Sequence, residues 1–302
     1  MTVTTLGNDG DNPMEYEARE NPIYKGKASI SQGNFTFSFI VPKDISYGTG
    51  FGKIFYYAQS SLSDASGNVT QIPVNGFAGG FINDSTGPVI NLYMNDSSFR
   101  NGGITGENPV LLAYIHDHQG VNTVGNGIGH DITAYFDSDQ STIMILNDYY
   151  EADLDSYKSG TIQYPLHDLE KGDHTLTLKV WDISNNSSET SILFRVLDEE
   201  KLLFGQVRNY PNPFSDHTTF SFEHNKAGFN MEFKLQIFTL SGHLVRTFVR
   251  QITPGGYRTE PIVWDGKNEN GKKLSAGIYI YRIIVRSSDG TNQEESGKMI
   301  MF

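Results

Sequence analysis

The sequence predicts an all-β fold arranged as β-sandwiches in tandem, and three observations predict it. No stretch sustains a helical period, whereas short alternating apolar runs recur between clusters of Gly, Asn, Asp and Pro. The 16 tyrosines and 19 phenylalanines suit pleated, half-buried surfaces. The 302 residues exceed one ordinary sandwich, and modules of about 100 residues each can close their own cores.

The elements follow in three blocks: residues 1–83, 84–198 and 203–302, with 199–202 as a linker. In the first, Asn34-Phe-Thr-Phe-Ser-Phe-Ile-Val alternates, so Phe35, Phe37 and Phe39 share a face. Pro42 ends that predicted strand because it cannot donate to a ladder. Lys53-Ile-Phe-Tyr-Tyr-Ala reads as a second strand, and Asp64-Ala-Ser-Gly-Asn has the composition of a turn. This block is expected to be a sandwich that is incomplete at its start.

The second block opens at Asp84-Ser-Thr-Gly-Pro, and Val89-Ile-Asn-Leu-Tyr-Met is its first strand. Pro109-Val-Leu-Leu-Ala-Tyr-Ile, Asp131-Ile-Thr-Ala-Tyr-Phe and Ser141-Thr-Ile-Met-Ile-Leu follow at sandwich-like spacing. Gly172 then supplies a turn before a strand in which Leu176, Leu178 and Val180 line one face and Trp181 the other. Asn185-Asn-Ser-Ser is the next turn, and Ile192, Phe194 and Val196 make the last apolar set.

In the third block, after Asp198-Glu-Glu-Lys, Met231-Glu-Phe-Lys-Leu-Gln-Ile-Phe alternates almost without error. Gly277-Ile-Tyr-Ile-Tyr-Arg-Ile-Ile-Val places Tyr279 and Tyr281 on one face, and Gly277 is expected to permit close approach to a neighbouring strand. The apolar Lys298-Met-Ile-Met-Phe is expected to be paired into a sheet.

A net charge of −12 argues against nucleic acid and against charge-driven docking on anionic membranes. The chain has no cysteine, which removes disulfides, thiolate metal sites and any cysteine nucleophile. No run of about 18 apolar residues could cross a bilayer as a helix. The opening Met1-Thr-Val-Thr-Thr-Leu-Gly lacks the basic and apolar regions of a signal peptide, so the chain reads as the C-terminal part of something longer.

The third block also carries an ordered set of motifs. Tyr210-Pro-Asn-Pro-Phe214, Thr239-Leu-Ser-Gly-His-Leu-Val-Arg, Trp264-Asp265-Gly266, Gly271, Ala276-Gly277-Ile-Tyr279-Ile-Tyr281 and Lys298-Met-Ile resemble the C-terminal sorting domain of the type IX secretion system of Bacteroidetes. That resemblance implies an immunoglobulin-like sandwich here, hence tandem immunoglobulin-like β-sandwich domains. It singles out Tyr210, Pro211, Asn212, Pro213, Phe214, Trp264, Asp265, Gly266, Gly277, Tyr279 and Lys298 as the motif residues.

Gly87-Pro-Val-Ile-Asn-Leu-Tyr-Met, Asn122-Thr-Val-Gly-Asn-Gly-Ile-Gly-His-Asp-Ile-Thr and Tyr24-Lys-Gly-Lys-Ala-Ser-Ile resemble the C-terminal region of that system's sortase family, gingipain-like cysteine peptidases. The family's catalytic Cys and His lie upstream, and nothing here matches them. The resemblance therefore implies a non-catalytic piece at the cell surface, serving outer-membrane export, anchoring and docking. Its implied partners are a PorV-like outer-membrane barrel protein, other attachment-complex subunits and the upstream peptidase domain. The alternative is a secreted adhesin or carbohydrate-binding sandwich that carries a sorting domain.

Candidate chemistry is sparse, and no cofactor is expected apart from calcium. His116-Asp-His118 has metal-like spacing, with His130 or Asp131 as a further ligand, against the simpler reading of a polar strand end. Asp148, Glu151, Asp153 and Asp155 form an acidic run that would suit calcium, against a solvated loop. Gly125-Asn-Gly-Ile-Gly129 lacks the strand-to-helix context of a dinucleotide loop. Asp84-Ser-Thr86 fits a short O-glycosylation pattern of exported Bacteroidetes proteins. No catalytic residue is assigned.

Overall fold

A computed structural model describes residues 2–4, 13–17, 22–43, 50–74, 84–124, 129–137, 143–198, 205, 207–226, 228–254 and 257–302. Apart from a 3-10 turn at Asn147–Tyr149, their regular structure is all strand.

Ahead of residue 84 the structure departs most from expectation. Strand β1 (Thr2–Thr4) pairs antiparallel with β2 (Glu15–Glu17), and β3 (Gly50–Gln59) with β4 (Asp64–Val74). The predicted strand within Lys53–Ala58 is β3. The predicted turn at Asp64–Asn68 is instead strand, paired with Phe55–Gln59. The reversal lies just before it, where the Ser60 amide donates to the Ser63 carbonyl at 2.8 Å and the Ser60 hydroxyl accepts the Leu62 and Ser63 amides.

Asn34–Val41 has no ladder among the described residues. Its alternation is real all the same: Phe35, Phe37 and Phe39 stack in one row at 6.5 and 6.3 Å, and Tyr24 stacks on Phe39 at 4.5 Å. Alternation fixes which side chains share a face and leaves open whether a neighbouring strand pairs with the backbone. Among the described residues the buried apolar core begins at Ile90. Within the described part of this block the ladders are two two-stranded pairs, β1-β2 and β3-β4.

The second block is a two-sheet sandwich. Its strands are β5 (Val89–Met94), β6 (Gly103–Thr105), β7 (Val110–His116), β8 (Thr133–Phe136), β9 (Met144–Ile145), β10 (Tyr150–Ala152), β11 (Ser159–Pro165), β12 (Gly172–Trp181) and β13 (Ser187–Val196). One sheet runs β10-β11-β7-β5 and the other β6-β13-β12-β8-β9. Leu176, Leu178 and Val180 are fully buried, as their alternation predicts; Ile192 faces Leu176 across the β12–β13 ladder, and Phe194 and Val196, opposite His174 and Gly172, join the same buried cluster. Trp181 faces outward between the His130 ring at 4.4 Å and the Lys179 ammonium at 5.0 Å.

The third block repeats the architecture. Strands β14 (Arg208–Tyr210), β15 (Thr218–Ser221) and β18 (Ile262–Trp264) form one sheet, in the order β14-β15-β18. Strands β16 (Met231–Thr239), β17 (Leu244–Ile252), β19 (Gly277–Ser287) and β20 (Asn292–Met301) form the other, in the order β17-β16-β19-β20. Met231, Phe233, Leu235 and Ile237 enter the core while the intervening residues of β16 do not. Trp264 is fully buried, and Tyr279 and Tyr281 lie on the same inner face of β19.

Candidate docking module and carboxylate cluster

The motif residues of the third block converge at one end of its larger sheet. Phe214 is buried with its ring 5.5 Å from Trp264, whose own ring lies 5.8 Å from Tyr279. The Trp264 indole donates to the Lys267 carbonyl at 2.9 Å, and the Tyr279 hydroxyl to Ser275 at 2.8 Å, so both amphipathic rings are satisfied. Gly266 sits at φ +70°, where an added Cβ would also stand 2.9 Å from the Met301 sulfur. Asp265 accepts the Lys267 amide and pairs with its ammonium at 3.0 Å, which holds the carboxyl below its usual range.

Gly277 differs from expectation, because a Cβ there would meet open space. The close approach falls at Gly297, where a Cβ would stand 2.2 Å from the Tyr281 hydroxyl.

The role of Tyr210–Phe214 becomes visible only in three dimensions. The bonds preceding Pro211 and Pro213 are both cis. The Phe214 amide donates to the Ile300 carbonyl at 3.0 Å, and the Phe302 amide returns a bond to Phe214 at 2.9 Å. Asn212 accepts the Ile300 amide at 2.9 Å and donates to the Lys298 carbonyl at 3.2 Å. These contacts cover the outer edge of β20 at its C-terminal end. Beside them Tyr210, Ile278, Ile300 and Phe302 are exposed, and Ile278 and Ile300 are direct cross-strand neighbours.

The metal candidates do not assemble. His116 and His118 are exposed, with rings 5.3 Å apart, and His130 is occupied against Trp181. Burial raises the Asp131 pKa, but no histidine joins it in a ligand set among the described residues. Asp148 lies in the 3-10 turn. Glu151 lies on β10, which corrects the expected loop, and pairs with Lys27 at 2.6 Å. Asp155 accepts the Ser29 amide at 2.7 Å. The acidic run thus holds the Lys27–Ser29 segment against this sandwich. The glycine-rich stretch at 125–128 and the linker at 199–202 lie outside the described residues.

A different set does assemble: carboxylate oxygens of Asp84, Asp117 and Asp182 lie within 4.8 Å of one another. Asp117 follows β7, Asp182 follows β12, and Asp84 sits in the segment leading into β5. Asp117 is 4% exposed and Asp182 0%. Asp182 accepts the Ser184 and Asn186 amides and the Asn186 side chain, at 2.7–2.8 Å. Asp117 accepts the Gln119 and Gly120 amides. Asp84 accepts the Thr86 amide and hydroxyl, which hold its carboxyl low, whereas burial pushes Asp182 up. Sequence reasoning missed this set because spacing drew attention to the two histidines flanking Asp117. On a strand end, the residue between two outward side chains points inward.

No family model matches this chain, and no curated protein does. Among solved structures, the yersinial adhesin InvE of Yersinia pseudotuberculosis is 11% identical over 70% of this chain and 58% of that one, with a TM-score of 0.24. A tetra-tandem repeat from the extending region of a large adhesion protein is 11% identical over 99% of this chain and 65% of that one, at 0.26. Neither supports an argument. Dimeric latent PorU from Porphyromonas gingivalis is 33% identical over 100% of this chain, at a TM-score of 0.39. The likeness is one of sequence, and through it the chain is similar along its whole length to a region that makes up 28% of that PorU chain.

Proposed function

We propose that this chain is a non-catalytic part of a PorU-type sortase of the type IX secretion system, serving outer-membrane export, surface anchoring and partner docking. The observation that carries the reading is the 33% identity with PorU along the entire chain. The absence of any cysteine agrees with it, since a thiol nucleophile would have to be supplied elsewhere.

In this reading the third sandwich is the docking module, and its partner is a PorV-like barrel protein at the cell surface. Docking by strand addition would meet obstacles at two places. Tyr210–Phe214 already bonds the C-terminal end of β20, and Glu269 bonds β17 through Val245 at 3.1 Å and Thr247 at 2.7 Å. The exposed side chains of Ile278, Ile300 and Phe302 offer a contact that requires no backbone rearrangement.

Pull-down from outer membranes with the chain, and with a form lacking residues 203–302, tests the reading. Recovery of the barrel protein only by the longer form is expected. Equal recovery by both would remove the anchoring role.

A further inference from the structure

We propose that residues 22–43 form a releasable clasp over one end of the second sandwich, and that this clasp seats β3 and β4 there. The inference concerns the first block and that sandwich alone, and is independent of the secretion reading.

The clasp is built as a hairpin. Gln32 and Gly33 lie at φ +51° and +79°, and Ser31 and Asn34 exchange amide-to-carbonyl bonds of 2.9 and 3.0 Å around them. Two successive positive φ values give the tight reversal that returns a chain on itself. Across it, Tyr24 stacks on Phe39 and lies 6.2 Å from Phe37.

Each arm is tied to a different sheet. On the first, the Asp155 amide donates to the Lys27 carbonyl at 2.9 Å, and the Ser29 amide to Asp155 Oδ1 at 2.7 Å. On the second, the Lys43 amide donates to the Ile183 carbonyl at 3.0 Å. Asp155 follows β10 and Ile183 follows β12, strands of opposite sheets. The loop after β7 joins the two anchors at one end, since the Val121 amide donates to the Tyr157 carbonyl and the Ile183 amide to Gly120. The Tyr56 ring of β3 meets Phe35 at 5.4 Å and Phe37 at 6.4 Å, so the aromatic row links β3 to the clasp.

The kind of contact makes the clasp releasable. None of residues 22–41 is buried, and none of 22–43 enters the apolar cluster of the second sandwich. The side chains of the Lys27–Glu151 pair are 57% and 70% exposed, where solvent screening leaves an ion pair little net effect. Opening therefore breaks a few polar contacts, whereas unfolding the sandwich exposes its whole core.

Native-state hydrogen exchange on the full chain tests the proposal, because the Ser29, Lys43 and Asp155 amides each bond across the joint. All three are expected to exchange at similar rates, at least about a hundredfold faster than Leu178 in β12. Asp155→Gly removes the Ser29 acceptor while suiting the backbone at φ +59°. It should speed exchange at Ser29 and at the distant Lys43 by at least about tenfold, and leave Leu178 as in wild type. Because the chain has no cysteine, Ser66→Cys with Gln163→Cys accepts a specific pair of spin labels. Their distance distribution should broaden when Asp155→Gly is added. If that variant fails to fold by circular dichroism, Lys27→Gln takes its place with the same expectations. Wild-type exchange at the three amides as slow as at Leu178 would overturn the proposal. Acceleration confined to Ser29, or extending to Leu178, or an unbroadened label distance would overturn it too.

Discussion

At the scale of single residues, His224 shows how position overrides type. Its ring is fully buried beside Phe222 and Tyr257, its Nε2 has no partner, and Nδ1 accepts the Lys226 amide at 3.2 Å. Burial lowers its pKa from 6.5 to about 4. The unfolded chain therefore binds the proton first as pH falls, and stability is lost between about pH 6.5 and 4, by about 3 kcal/mol in total. Denaturant unfolding measured across that window should show the loss, and His224→Gln should flatten its slope. An unchanged slope in the variant would place the acid sensitivity elsewhere. Nothing local in Glu223-His-Asn-Lys announces this burial. The isolated pattern reads as a polar loop, and only the sandwich packed around it decides otherwise. Lys226 is a second case, 4% exposed and paired with Asp289 at 2.6 Å, which holds that carboxyl far below its usual range.

Elements tell a different story, because period-two patterning identifies faces reliably and edges poorly. The inward sets of β12, β13, β16 and β19 were legible from alternation alone. Strands β6, β10 and β11 were missed: they are short, or mix Ser, Gly, Gln and Pro among few apolar residues. Their membership depends on ladders of β6 with β13, β11 with β7 and β10 with β11. Edge protection was equally invisible. Asn212 reaches 88 residues along the chain to take the Ile300 amide. Asn212→Ala should cost about 1 kcal/mol and speed hydrogen exchange at the Ile300 amide, while leaving exchange in the middle of β16 unaltered. Exchange at Ile300 that matches wild type would show that the loop does not hold the edge.

For the whole molecule, the decisive feature is that the two apolar clusters are separate, one running from Ile90 to Val196 and the other from Val207 to Met301. Each sandwich should unfold as its own cooperative unit. Calorimetry should resolve two transitions, with Leu178→Ala lowering one and Trp264→Ala the other, each by about 2–5 kcal/mol. A single transition shifted by both variants would mean that the cores are coupled. The first block stands apart, since its described strands leave Phe51, Phe55 and Tyr57 more than half exposed. By itself the sequence determined the all-β class, the inward faces and the absence of thiol chemistry, because composition and alternation depend only on neighbours along the chain. Only the tertiary structure decided which strands pair, which edge Tyr210–Phe214 covers and which three aspartates meet. Those outcomes bring together residues tens of positions apart, and a local pattern carries no record of such distances.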